Sequence, residues 1–288
     1  MIITVVIPCH NQDDIVNLNI KILNEQSKKP DYILVIDDHS TIFTVKETNN
    51  IKVFHLEKKG RVHNRNFGIQ KALELNSDII IFMDGDSIPS DENYIYNYLK
   101  NDLQTPLMIF GMRKHINRPI MLKDFNYDFN YDSIKIDKYP SDLLTANLDK
   151  NENFDNSDLR IVSGIYPNFN NIKDFNEKAN NISYGLVTWS CNFMMTKDAA
   201  IKLLDFMKNT YNIDGCFDYN QFGDSWGGED NAFGLDAHFA GINILVTNDS
   251  VVLHFMHERT DRLNTHVRLN NILIKRLINL YKKEGKYI

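Results

Sequence analysis

Nearly unbroken apolar runs alternate with helix-spaced apolar positions through the first third of the chain. Ile2 to Ile7, Tyr32 to Ile36, Ile51 to His55 and Ile79 to Met83 read as strands. Between them, Asp13 to Gln26 places Ile15, Leu18, Ile22 and Leu23 on one helical face, and Arg61 to Leu75 does the same with Ile69, Ala72 and Leu73. Strands that are apolar at successive positions are buried on both faces, as in a parallel sheet covered by helices on each side. The pattern predicts a doubly wound α/β half, with ligands at the carboxyl ends of its strands. Later in the chain, Tyr184 to Trp189 reads as a strand, Lys197 to Lys208 and Glu229 to Ala240 as helices, and Ile242 to Val246 and Val251 to His254 as short strands.

The tract from about His115 to Asn181 breaks this rhythm. It is rich in Asn, Asp and Tyr, carries Pro119, Pro140 and Pro167, and shows little periodicity, as a long insertion or lid with one or two short helices would. The closing stretch, Leu263 to Lys283, is amphipathic through Leu269, Ile272, Ile274, Leu277 and Leu280. It is expected to be a packed terminal helix with a solvated lysine face, the alternative being a peripheral membrane contact through that basic face. The expected organisation is one domain over 1–288: a ligand-binding half at 1–112, a variable insertion at 113–181, a second half at 182–262 and a terminal helix at 263–288.

Composition narrows the classes. A net charge of -6 lacks the basic field that broad nucleic-acid binding needs, so no nucleic-acid partner is expected. Cys9, Cys191 and Cys216 are too few and too scattered for a disulfide framework or a structural zinc site, which fits a reducing, cytoplasmic setting. The apolar N-terminus lacks a basic lead-in, so it does not read as a signal peptide. No apolar stretch approaches the ~20 residues of a membrane span.

Chemistry enters at Asp84-Gly85-Asp86, which follows the apolar strand Ile79 to Met83. Two carboxylates separated by one glycine repel each other unless a cation or proton neutralises them. Oxygen ligands on a short turn, with positions left open for phosphates, suit Mn2+ or Mg2+. A helix-capping turn explains the same tripeptide, so the turn alone decides nothing. Upstream lie Val5-Val6-Ile7-Pro8-Cys9-His10-Asn11, then Val35-Ile36-Asp37-Asp38-His39-Ser40, then Gly60-Arg61-Val62-His63-Asn64-Arg65-Asn66-Phe67-Gly68-Ile69. In order and spacing, these and the Asp-Gly-Asp strand resemble the family 2 type glycosyltransferases of the GT-A fold, over roughly residues 2 to 90.

That resemblance implies an α/β GT-A domain with a mixed, mainly parallel sheet flanked by helices, and a UDP-sugar donor. Pro8, His10 and Asn11 would hold the base and ribose. Asp38 would accept from uracil or ribose, while Asp37 stabilises its turn. Arg65, in the first turns of a helix, would pair with the diphosphate. Arg61 is the lesser candidate, with a solvent-facing position as its alternative. Asp84 and Gly85 would line the donor site. No Gly-x-Gly-x-x-Gly follows the first strand, which disfavours a dinucleotide-binding dehydrogenase.

Asp224-Ser225-Trp226-Gly227-Gly228-Glu229-Asp230 resembles the Trp-Gly-Gly-Glu-Asp segment of galactosyl- and N-acetylgalactosaminyltransferases. By that likeness Trp226, Gly227 and Gly228 would pack against the sugar. Glu229 would bind hydroxyls, and Asp230 would take the acceptor's proton as general base. Related retaining enzymes carry Asn at the Asp230 position, so an acid there favours inversion. His254-Phe255-Met256-His257 follows a strand, where the galactosyltransferase-like branch supplies another metal ligand. The expected metal set is Asp84 and Asp86 with either His254 or His257. Asn192, at the end of another strand, is a candidate sugar contact, with structural packing as its alternative; the same choice applies to Trp189. The acceptor would be a glycan or glycoconjugate hydroxyl, and galactose or N-acetylgalactosamine is favoured over glucose-type sugars. A nucleotidyltransferase acting on sugar phosphates is the alternative, but it would need a basic Gly-rich loop after the first strand, and Cys9-His10-Asn11 is not one. A sugar-binding protein with a decayed site sits poorly with so many intact acids and histidines.

Overall fold

The computed structural model describes residues 1–103, 106–116, 190–223 and 228–255, together with helical positions 272, 273, 275, 276, 278–280, 282 and 283. The strand expected at Tyr184 to Trp189, nearly all of the insertion, and Trp226, Gly227 and His257 lie outside the described residues.

Strands β1 (Ile3–Cys9), β2 (Tyr32–Asp37), β3 (Ile51–His55) and β4 (Ile79–Met83) fall where the apolar runs placed them. Helices α1 (Asp13–Glu25) and α2 (Arg61–Glu74) match the amphipathic stretches. Asp13 and Asp14 in the first turn of α1 complement its dipole. β5 (Ser87–Pro89), α3 (Tyr94–Leu99) and β6 (Leu107–Ile116) follow. After the insertion come β7 (Asn192–Thr196), α4 (Lys197–Tyr211), the short α5 (Tyr219–Phe222), α6 (Glu229–Phe239) and the long β8 (Asn243–Phe255).

The eight strands form one sheet in the order β3-β2-β1-β4-β7-β6-β8-β5. The β1, β2, β3 and β4 pairings are parallel, as is β6 with β8, while β7 runs antiparallel to β4 and β6, and β5 antiparallel to β8. The result is the expected mixed, mainly parallel sheet. Period-2 alternation sends Val6, Leu34, Ile36 and Phe82 to one face, where α2, α4 and α6 cover them. Val5, Ile7, Ile33, Val35 and Ile81 go to the other face, with Val16 and Leu23 of α1 and Tyr94 of α3. Both faces are therefore core, which is why these strands read as continuous apolar runs. Gly68 lets α2 lie close on β1, since a Cβ there would come within 2.4 Å of Val6 Cγ1. No helix among the described residues is long and apolar enough to cross a membrane.

The two short strands expected near the end are one. β6 pairs Gly111 with Thr247 and then Met112 with Val251, so the polar stretch between Thr247 and Val251 bulges out of a continuing ladder. The terminal segment presents a buried arginine to the interior: Arg276 is 4% exposed and bonds to Asp236 and Asp218. Packing, rather than a free basic surface, describes that residue.

Candidate active site

Carboxyl ends of β1, β2 and β4 converge on one rim. Asp37 holds its turn, accepting from Ser40 N at 3.0 Å and facing His55 Nδ1 at 3.0 Å. Asp38 is buried, and its carboxylate accepts from Lys59 N at 2.9 Å and Gly60 N at 3.1 Å, tying the end of β2 to the start of α2. Each carboxylate oxygen keeps lone-pair capacity for a further donor. The Asp38 carbonyl can only accept, so His10 Nδ1 donates to it, at 2.8 Å. Asn11, with φ of 54°, accepts from Thr41 N through Oδ1 at 2.8 Å and turns its Nδ2 to His10 Nε2 at 3.1 Å. This chain of donors and acceptors ties the His10 ring to both turns. Pro8 belongs to the strand and not to the turn: it pairs with Ile36, is buried, and its carbonyl accepts from Gly85 N at 3.0 Å. Its part is to seat the Asp84-Gly85-Asp86 turn.

That turn presses against the end of β1. A Cβ on Gly85 would stand 2.6 Å from Cys9 Cβ and 2.5 Å from Gln12 Oε1, so only glycine fits. The turn sends its two acids in different directions. Asp84 Oδ1 accepts from Arg65 NH2 at 3.0 Å. Asp86 is 7% exposed, and its Oδ1 lies 3.4 Å from His254 Nε2 on β8. The β5–β8 pairing, which sets Ser87 opposite His254, brings these two together.

Arg65 is the centre of the constellation. Its side chain is 3% exposed, and besides Asp84 its NH1 lies 3.4 Å from Glu229 Oε1 and 3.7 Å from Asp230 Oδ1. Burial opposes its charge, but Asp84, Asp230 and Glu229 together lift its pKa above the ordinary arginine value, so it stays a cation. Both acids open α6, whose N-cap Gly228 takes a left-handed φ of 82°. Glu229 is nearly inaccessible, and its Oε1 also meets Arg61 NH2 at 2.7 Å. Burial raises the Glu229 pKa, the two arginines pull it down, and Asp230 pushes it up. Its other oxygen, Oε2, is buried and has no hydrogen-bond partner among the described residues. Asp230 differs: its side chain is 30% exposed, and it accepts a short hydrogen bond from the Ser190 hydroxyl.

Two expectations are corrected. Arg61 is only part exposed, and its guanidinium pairs with Glu229 instead of standing free in solvent. Asn192 is no sugar contact: it is fully buried, accepts from the hydroxyls of Tyr94 at 2.8 Å and Tyr98 at 2.7 Å, and donates to the carbonyls of Met112 and Ser250. Its hydrogen-bonding capacity is spent inside the fold.

Three residues went unassigned from sequence. Ser190 holds Asp230. Arg113, on β6, donates to Cys191 Sγ at 3.6 Å and lies in the field of Asp230 and Asp84. The Cys191 thiol is pushed up to about 12, chiefly by burial, and stays protonated. An arginine ending the apolar run Leu107 to Met112 was the available signal for Arg113.

The donor set suits a divalent cation in part. Asp86 and His254 offer a carboxylate and an imidazole from adjacent strands. Asp84 is turned to Arg65, and no group of three His, Cys, Asp or Glu side chains gathers among the described residues.

Comparison with known proteins agrees with this architecture. O-antigen chain rhamnosyltransferase RfbN of Salmonella typhimurium is 28% identical over 149 residues, covering 50% of this chain and 47% of that protein. The chain thus spans about half the length of this relative. Among solved structures, S. aureus TarS 1-349 in complex with UDP-GlcNAc superposes with a TM-score of 0.55 at 14% identity, covering 97% of this chain and 67% of that one. GalNAc-T7 with UDP, GalNAc and Mn2+ superposes with a TM-score of 0.59 at 15% identity, covering 93% and 47%. At these identities the structural likeness speaks for the GT-A fold. The profile of glycosyl transferase family 2 matches residues 4–204, most of the chain, and the chain belongs to that family.

Proposed function

We propose that the protein is a metal-dependent glycosyltransferase that moves a hexose or N-acetylhexosamine from a UDP-sugar to a hydroxyl of a glycan or glycoconjugate, with inversion. The observation that carries this reading is Arg65, which bridges Asp84 at the end of β4 and the Glu229–Asp230 pair at the start of α6. A guanidinium so placed can hold a diphosphate within reach of the acids that would serve the incoming hydroxyl. Lys59, Gly60 and Asp38 close the other side of the donor rim.

Asp230 takes the role of base. It is the more exposed acid, and the Ser190 hydroxyl orients it by donating to its Oδ1. As the acceptor oxygen bonds to the anomeric carbon, Asp230 receives its proton and the carbon–oxygen bond to UDP breaks on the opposite face. Such single in-line displacement inverts the anomeric centre. Glu229 pairs through one oxygen with both Arg61 and Arg65 and holds the two side chains together beside the turn. Asp86 and His254 would hold Mn2+ or Mg2+, with Asp84 or His257 completing the set; a cation there supplies charge stabilisation to the departing diphosphate. Galactose and N-acetylgalactosamine are the favoured sugars by the Trp-Gly-Gly-Glu-Asp likeness alone, since the neighbours and the relative are named for different sugars.

The test is nucleotide release in Mn2+ with UDP-galactose, UDP-N-acetylgalactosamine, UDP-glucose, UDP-N-acetylglucosamine and a nucleotide-activated rhamnose. UDP release with one of the first four supports the reading. Release from none of them, with no UDP binding in calorimetry, sinks it. Asp230→Asn should abolish transfer and leave UDP binding in Mn2+ nearly intact; lost binding would refute its role as base.

A further inference from the structure

We infer that Asn66, one position past Arg65, is a positioning residue that sets where the acid pair stands relative to the donor site; this rests on the transferase reading above. The Asn66 side chain bonds to the backbone of Phe217. Its Nδ2 donates to Phe217 O at 2.9 Å, and its Oδ1 accepts from Phe217 N at 2.8 Å. The side-chain amide thus bonds like an extra backbone unit, clasping one residue of the segment that leads to α6. The fit is close: a Cβ on Gly215 would come within 2.5 Å of Asn66 Nδ2 and 2.6 Å of its Cγ.

The clasp continues to the acids through one ring pair. Phe217 lies flat on Phe233 of α6, with centroids 4.1 Å apart and planes 1° from parallel. Phe233 is four residues after Glu229 and three after Asp230, so it sits one helical turn beneath both. The Arg65 guanidinium carbon lies 5.7 Å from the Phe217 centroid, so the same ring floors the arginine that meets the acids.

Two further contacts repeat the pattern. His63 stacks on Tyr219 at 5.1 Å, and a Cβ on Gly60 would come within 2.8 Å of Gly223 O. Positions 60, 63 and 66 lie three apart and form one docking edge of α2. Arg61 and Arg65 lie four apart on another face and reach the acids. A single helix therefore contacts the acid-bearing half through two faces. One face carries charge and would exchange partners when a diphosphate arrives. The other is neutral and would hold still. Asn66 is the strongest hydrogen-bonded point of the second face.

The predicted consequence is a split between binding and turnover. In the full chain, Asn66→Ala leaves the contacts of Arg65 and Asp84 in place, so UDP binding in Mn2+ should stay within about twofold of the parent. Turnover per folded molecule should fall by about a hundredfold, the scale of an ångström's misplacement of a reacting group. Phe217→Leu breaks the next link of the same path. The double variant should therefore be no slower than the slower single, because contacting residues on one path are non-additive. Amide exchange at Ala232 and Phe233, in the turn beneath the acids, should quicken in Asn66→Ala and not in β1.

Parent protein that releases no UDP from any donor defeats the transferase reading, whereas the exchange measurement tests Asn66 without turnover. Unchanged exchange at Ala232 and Phe233 overturns the inference. So does turnover per folded molecule that matches the parent despite a lowered melting temperature, which is the outcome of a merely structural role. Fully multiplicative losses in the double variant would also overturn it.

Discussion

Replacing Arg276 by methionine isolates the buried ionic centre that ties the terminal segment to α6. The Arg276 side chain is 2% exposed. It meets Asp236 through Nε at 3.0 Å and NH2 at 2.6 Å, and through NH1 it meets Asp218 at 2.7 Å and Gln221 Oε1 at 3.0 Å. Its guanidinium carbon lies 4.1 Å from the Tyr211 ring centroid. Methionine keeps much of the apolar stem and removes every one of these bonds, leaving Asp236 fully buried beside an apolar side chain. Breaking a buried pair from one side costs about 3–5 kcal/mol, which lowers the melting temperature by roughly 6–15 °C in a domain of this size.

The loss depends on pH, and its sign follows from Asp236. Burial already lifts that carboxyl to about 6, against the downward pull of Arg276. Without Arg276 its pKa rises further. Between the unfolded value near 3.8 and the folded value, the native state holds a proton that the unfolded chain has lost, so stability falls as pH rises through this window. In Arg276→Met the window extends to higher pH, at about 1.4 kcal/mol for each added pKa unit. Thermal melts at about pH 5 and about pH 8 should therefore show a small deficit at the lower pH and a large one at the higher. Adding Asp236→Leu removes the stranded charge and should recover most of the stability at the higher pH. Equal deficits at both pH values, or no recovery in the double variant, would refute this account.

Other outcomes follow from the same coordinates. Chelation should stop UDP release and Mn2+ restore it, and Asp86→Asn should raise the Mn2+ concentration needed; release unaffected by chelator speaks against the metal. Asn192→Ala strands two tyrosine hydroxyls and two carbonyls, so it should lose at least about 3 kcal/mol in denaturant melts while leaving the donor KM of folded enzyme unchanged. A raised donor KM would return Asn192 to the sugar pocket. Gly68→Ala drives a methyl into Val6, and thermal melts should show a loss of about 1–3 kcal/mol.

How far the sequence carries depends on whether an element's partners lie nearby in the chain. β4 has the bounds its apolar run predicts, because both faces of the sheet are core there and every residue of the run must be apolar; β3, at the sheet edge, keeps its bounds with only Ile51 buried. β6 was missed for the opposite reason. Its first half is apolar, but Arg113-Lys114-His115 looks like the start of a polar insertion, and only pairing with β7 and β8 makes it a strand. The same dependence made β8 look like two strands, since the ladder that spans its polar bulge belongs to residues 107–116.

The site divides along the same line. Gly85 and Gly228 were assigned to the donor by resemblance, and the structure adds backbone reasons for both: a close approach to β1 and a left-handed cap. Arg61 and Arg65 carry the same charge on the same helix, and sequence separated them by resemblance alone. Their common partner, Glu229, lies more than 160 residues along the chain, a distance no periodicity spans. Asn192 erred in the other direction, because a polar residue ending a strand resembles a pocket residue until Tyr94 and Tyr98 of α3, an element the pattern did not reveal, are found upon it. A buried side chain's role is thus set by the residues that satisfy its donors and acceptors. For Asp230 those residues include Ser190 and Arg65, and the portion left exposed is what fits it, rather than Glu229, to meet a substrate.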